Sequence, residues 1–335
     1  MPPSEAALFS DRLSFYPAPA DAREPVAALP GIWLAGALGA SLVAFVLLML
    51  WTRETISLFA GGTSAICIAG GVIVAVRTLL RDAQAGWQRV ARDFAEYAGL
   101  FSAVCLLGAM ASYPIATVNH GFADARLAAI DQALRFNWLA WYGLVAAHPT
   151  LQMLGRGVYD SIFLTPAILL GYFAITGRQA EARRFILSFW LAAVLTLALF
   201  SLMPAQGPLA FLWRGPVPYM PISALYQAEL IPALRLHELH SIDPGQLRGL
   251  VCAPSFHAAS AALYIAAAWI ARPLRWPLIA LNGAMLLATP VEGTHYLTDL
   301  IAGVLVAMVA LAGSGWLSVV VARRTVPVPP LVEAH

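Results

Sequence analysis

Lysine is missing from this chain of 335 residues, and all of its side-chain positive charge rests on 20 arginines, histidines aside. Charge of either sign is scarce, at 11% of residues against 60% hydrophobic. That balance excludes an ordinary soluble globular domain. A formal net charge of +2 gives no basic excess, and no nucleic-acid partner is expected. Cysteine is equally sparse. Cys67 and Cys105 fall inside apolar runs and Cys252 stands alone, which gives neither a disulfide framework nor metal-ligand spacing. No repeat of solenoid period is present. The first thirty residues lack the basic start and short apolar core of a cleavable signal, so the first apolar run is expected to act as an uncleaved anchor.

Long hydrophobic runs are what the chain does have. They occur at about 31–52, 56–80, 98–117, 157–176, 184–203, 256–272, 276–291 and 298–322. A helix needs about 20 apolar residues to cross the hydrocarbon core. The sixth and seventh runs are shorter, and partial shielding by neighbouring helices is expected there. The fold class is therefore all-α: a polytopic membrane protein of about eight transmembrane helices. It divides into a tail (1–30), an accessory helical pair with a basic connector (31–97), a six-helix core (98–323) and a second tail (324–335).

Arginines crowd alternate connections: Arg77, Arg81, Arg89 and Arg92; Arg178, Arg183 and Arg184; Arg272 and Arg275; Arg323 and Arg324. The positive-inside rule makes these cytoplasmic, together with both tails. The remaining connections then face the extracytoplasmic side, which in a bacterial inner membrane is the periplasm. Two of these are long. Segment 118–156 contains an amphipathic stretch from Asp124 to Leu134 followed by Trp138, Trp141 and Tyr142, which predicts an interfacial helix. Segment 204–253 contains a second amphipathic stretch, Ser223 to His240, expected to be either a lid or a passive surface helix.

The chemistry-bearing residues gather on that same side. Ala253-Pro254-Ser255-Phe256-His257 and Gly293-Thr294-His295-Tyr296-Leu297-Thr298-Asp299 each place a histidine where an apolar segment meets the surface. Ionisable groups at such depth are costly and usually functional. Asp299 follows His295 by four residues, which on a helix sets both on one face, so the carboxylate can orient the imidazole. Glu292 lies three residues before His295, either to orient an acceptor hydroxyl or to cap a helix starting there. A different reading rests on His237 and His240, whose i, i+3 spacing can share a metal, with Glu238 as base. The strict H-E-x-x-H spacing is absent, and a solvated helix face is the favoured reading. His120 and His148 have no partner by sequence.

Pro254-Ser255-Phe256-His257 matches P-S-x-H, and His295 with Asp299 matches H-x-x-x-D, in the right order and about forty residues apart. These resemble the second and third motifs of the type 2 phosphatidic acid phosphatase superfamily. Two departures stand out. The lysine that opens the family's first motif has no counterpart here, and Ala288-Thr289 stand where its third motif begins with S-R. The chain is most similar to the branch of inositol phosphorylceramide synthases and sphingomyelin synthases, whose third motif reads H-Y-x-x-D. The likeness plausibly spans 98–323, although its specific part is about twenty residues.

The resemblance implies a metal-independent enzyme that needs no cofactor. His295 attacks phosphorus and becomes a phosphohistidine, Asp299 fixes its tautomer, and His257 protonates the leaving oxygen and then activates the incoming hydroxyl. Ser255 and nearby amides are expected to hold the non-bridging oxygens. Charge neutralisation needs arginine. Arg248 is the first candidate and Arg214 the second. Substrates are membrane lipids: a phospholipid or lipid phosphate as donor, and water or a lipid alcohol as acceptor. A transporter is the non-enzymatic alternative, disfavoured because the polar groups gather at one surface and not at midplane.

Overall fold

The structure is a computed structural model that describes residues 30–57, 59, 61–83 and 86–325, the last five as backbone alone. The expected tails lie almost entirely outside the described residues. In chain order the elements are α1 (Gly31–Thr52), β1 (Thr55–Ile56), α2 (Gly61–Leu79), α3 (Gly86–Val118), α4 (Asp124–Ala133), α5 (Trp138–Ala147), α6 (Pro149–Ile175), α7 (Gln179–Leu202), α8 (Pro208–Leu212), α9 (Tyr226–Arg235), β2 (Ser241–Ile242), α10 (Phe256–Ile270), α11 (Arg275–Glu292) and α12 (Leu297–Thr325). Among the described residues the two short strands form the only sheet, paired in parallel with Thr55 opposite Ser241 and Ile56 opposite Ile242.

Among the described residues, seven helices are long and apolar enough to cross a membrane. The sixth expected span, 256–272, is occupied by α10, which has 15 residues and falls short of that length. Its neighbours explain how a short helix is accommodated. Ala258, Ala259, Ala261, Ala267 and Ala268 on α10 are all buried, and α10 packs on α6, α7, α11 and α12. Between helices in lipid the gain comes from close packing, and small side chains allow backbones to approach. Gly303 on α12 shows the limit: a Cβ there would collide with the carbonyl oxygen of Ser255. The basic connector is also partly helical, because α3 begins at Gly86 and carries Arg89, Arg92 and Glu96 within its first three turns.

Aromatic rings fill the core between α3, α7 and α10, with Phe101 and Phe189 centroids 4.4 Å apart and Phe189 and Phe256 5.2 Å apart. Polar pairs cross between helices: Ser188 donates to Ser314 at 2.7 Å and Asn282 to Thr165 at 3.4 Å. The two ends of the bundle differ. At one end Glu96 on α3 binds Arg77 on α2 (2.9 Å) and Arg183 on α7 (2.7 Å), tying the accessory pair to the core. At the other end lie the strand pair, α4, α5, α8, α9 and both histidine motifs. There the α1–α2 connection is anchored through Glu54, a buried carboxylate that accepts a hydrogen bond from Thr117. Burial holds that carboxyl above its usual range.

Candidate active site

Each histidine starts from a helix terminus. Ser255 caps α10, its hydroxyl oxygen accepting from the Ala258 amide at 3.3 Å. This puts His257 in the first turn. Its Nδ1 lies 3.2 Å from the Tyr159 hydroxyl, and the two rings stack with centroids 4.0 Å apart and 12° between planes. Tyr159 in turn lies 3.3 Å from the Ser223 hydroxyl. The Tyr159 oxygen can accept from Nδ1–H and donate to Ser223, which leaves Nε2 of His257 as the titrating nitrogen.

His295 sits in the turn between α11 and α12 and is 3% exposed, against a half-buried His257. Its Nδ1 is 3.6 Å from Asp299 Oδ2, an ion-pair contact longer than a hydrogen bond. The same carboxylate oxygen accepts the Tyr296 amide at 3.0 Å. Cys252 completes the surroundings, with Sγ 3.4 Å from Asp299 Oδ2 and 3.8 Å from His295 Nδ1. Burial, followed by the Asp299 and Asp124 carboxylates, pushes its thiol well above the usual range. The Ser255 amide donates to the Asp299 carbonyl at 3.0 Å, joining the two motifs through backbone.

The motifs also meet through Tyr159. A Cβ at Gly293 would lie 2.5 Å from His295 Cδ2 and 3.0 Å from the Tyr159 hydroxyl, so only glycine leaves room between them. Both imidazoles therefore border one small space, each with Nδ1 engaged by the protein. Such a pair can share a phosphoryl group, one nitrogen attacking and the other moving a proton.

The turn carrying His295 is built from α4. Asp131 accepts from the amides of Leu297 (2.8 Å) and Thr298 (2.9 Å) and from the Thr298 hydroxyl (2.6 Å), capping α12. Asp124 accepts from the Tyr296 hydroxyl at 2.9 Å and from the Gln206 and Gly207 amides. A cavity of about 340 Å³ adjoins this turn, lined by Asp131, Arg135, Trp138 and Tyr296 among others, with neither histidine in its wall.

The side chains of the other expected site residues have partners of their own. Ser255 is fully buried, and its hydroxyl oxygen accepts from the Ala258 amide in the helix cap. Arg248 is exposed, with its guanidinium 4.6 Å from the Tyr226 ring centre and its amide bound to the Tyr113 hydroxyl at 3.0 Å. Arg214 is also exposed and donates to the Trp213 carbonyl. Neither makes a described contact with His257, His295 or Asp299. Glu292 ends α11 and does not cap α12. Its carboxylate accepts from the Tyr219 hydroxyl (2.7 Å) and the Ile222 amide (3.3 Å). Burial and then Glu292 push the Tyr219 hydroxyl up to about 12. His237 and His240 stack on each other, exposed, on the segment that leads into β2.

Sequence reasoning passed over Tyr159, Ser223, Cys252 and the two α4 carboxylates. Arg156 lies one turn before Tyr159 on α6 and donates to the Tyr219 hydroxyl at 2.9 Å and the Met220 carbonyl at 2.6 Å. Through Tyr219 it is linked to Glu292, three residues from His295.

Residues 125–313, more than half of the chain, match the sequence profile described as the PAP2 superfamily. The match starts within α4 and takes in Tyr159, His257, His295 and Asp299. No curated protein matches the chain, and no solved structure does.

Proposed function

The chain belongs to the PAP2 superfamily, and from that premise we propose that it is an integral-membrane lipid phosphotransferase working through a phosphohistidine at His295. In the first step Nε2 of His295 bonds to phosphorus while the bond to the leaving oxygen breaks, and His257 supplies the proton to that oxygen. In the second step an acceptor hydroxyl attacks phosphorus, its proton passes to His257, and the P–N bond breaks. The observation that carries this reading is the Tyr159 hydroxyl, held 3.2 Å from His257 Nδ1 and directly beside the Gly293–His295 turn.

Arg156 is assigned the neighbouring positive charge, since its position on α6 puts it on the side of the site where Tyr159 stands. The H-Y-x-x-D form of the third motif, with no S-R before it, favours transfer to a lipid hydroxyl over hydrolysis. The acceptor class is then a ceramide or diacylglycerol, as in the inositol phosphorylceramide and sphingomyelin synthases that the motif resembles. The arginine-rich end of the bundle faces the cytoplasm and the histidines face the extracytoplasmic leaflet.

The test is reconstitution in vesicles holding a phospholipid donor and a labelled ceramide or diacylglycerol. Appearance of a headgroup-bearing labelled lipid, unaffected by EDTA, is the expected result. Release of phosphate with no labelled product makes the protein a phosphatase. Loss of activity with EDTA that zinc restores replaces the histidine route with a metal-dependent one.

A further inference from the structure

The turn around His295 has a feature that the transfer reaction does not use. Cys252 Sγ, His295 Nδ1 and Asp299 Oδ2 face one another at 3.4, 3.6 and 3.8 Å. All three residues are buried, and these atoms lie within 4.8 Å of one another. Among the described residues no other group of histidine, cysteine and carboxylate side chains converges in this way. Metal–ligand lengths of about 2.0–2.3 Å around a tetrahedron place ligand atoms about 3.3–3.6 Å apart. The triangle therefore fits three corners of a zinc site with little movement. A second observation points to the same ligand. Asp299 Oδ1 is buried without a hydrogen-bond partner among the described residues, as is the hydroxyl of Thr294, the residue that precedes His295 in the chain. A carboxylate oxygen left bare at such depth is costly, and a bound cation relieves it.

We propose that Cys252, His295 and Asp299 form an inhibitory site for a thiophilic divalent cation, with Zn²⁺ the best fit. Thiolate, imidazole and one carboxylate are a donor set that selects zinc over magnesium or calcium. The cation enters by the opening that admits a phosphoryl group to His295. On binding, the Cys252 S–H bond breaks and its proton leaves to solvent, while S–Zn, Nδ1–Zn and O–Zn bonds form. No electron transfer is involved. With Nδ1 on the metal, the imidazole proton resides on Nε2, and the lone pair needed for attack on phosphorus is lost. Binding stands on the geometry alone; only its inhibitory consequence rests on the proposed role of His295.

The test uses the full chain purified in detergent and titrated with Co²⁺ as a spectroscopic stand-in for Zn²⁺. A thiolate-to-cobalt charge-transfer band saturating at one equivalent is expected. It should persist when Cys67 and Cys105 are both replaced by Ala and vanish in Cys252→Ser. Zn²⁺ should raise the melting temperature of the parent protein but not of Cys252→Ala, a readout that needs no activity. In the transfer assay, half-inhibition of Cys252→Ser, scored against its own zinc-free rate, should need at least tenfold more Zn²⁺ than the parent. No band in the parent, or a band that survives in Cys252→Ser, overturns the site. Equal zinc sensitivity of parent and Cys252→Ser overturns the inhibitory role. If zinc activates while the cobalt band behaves as expected, the site stands and the metal-free histidine route falls.

Discussion

The two halves of the site are held in opposite ways. His257 stands on the first turn of a short helix, half-buried, stacked against an aromatic ring and touching a neutral hydroxyl. His295 stands in a turn, nearly fully buried, with a carboxylate and a thiol around Nδ1. Tyr159 brings His257 a hydrogen bond and a stacked ring but no charge. Asp299 places a carboxylate 3.6 Å from the ring of His295, where it can reward positive charge that develops during a reaction. The difference suits one histidine to carrying protons and the other to carrying a phosphoryl group.

Four substitutions break or sharpen this contrast. His295→Gln should remove the nucleophile, lowering turnover by about 10⁶-fold, as for loss of other nucleophiles, and leaving no trapped phosphoenzyme. Retained turnover in that variant would end the assignment. Asp299→Asn should keep the fold by circular dichroism but stabilise the wrong tautomer of His295, with a loss approaching about 10⁴-fold. His257→Ala should cost about 10²–10⁴-fold. Donors with good leaving groups should recover part of that loss and, unlike for His295→Gln, allow a phosphohistidine to be mapped to position 295. Tyr159→Phe is the mildest, since it removes the hydroxyl's hydrogen bonds to His257 and Ser223, each worth about 0.5–1.5 kcal/mol, and keeps the stacked ring. A loss of about tenfold or less in kcat is expected, with the pH profile of the His257 step displaced. An unmoved profile would reduce Tyr159 to packing.

How far the sequence reveals this site depends on the distance over which its parts communicate. His295 and Asp299 share one turn, so their pairing is visible in a four-residue spacing. The cap on α10 is legible in Pro254-Ser255 followed by an alanine-rich run, and the amphipathic stretch from Asp124 locates α4 almost to the residue. Tyr159 is hidden because it sits in an apolar run and meets His257 across 98 residues. Asp131 meets the α12 amides across 166. Cys252 looks isolated because its partners come from another helix. Arg248 misleads for the converse reason. Nine residues from His257 is near in sequence, but Arg248 is held by Tyr113 through its amide and by the Tyr226 ring through its guanidinium.

The reach of α4 also sets the order in which the site can come into being. A chain made from its N-terminus inserts its spans in sequence. Asp124 and Asp131 are therefore synthesised 172 and 166 residues ahead of the tyrosine hydroxyl and the helix amides that satisfy them. Asp124 can meet the Gln206 and Gly207 amides earlier, but the partners of Asp131 all arrive with the last span. His295, Asp299 and the α12 cap thus come together only once the last span is in place.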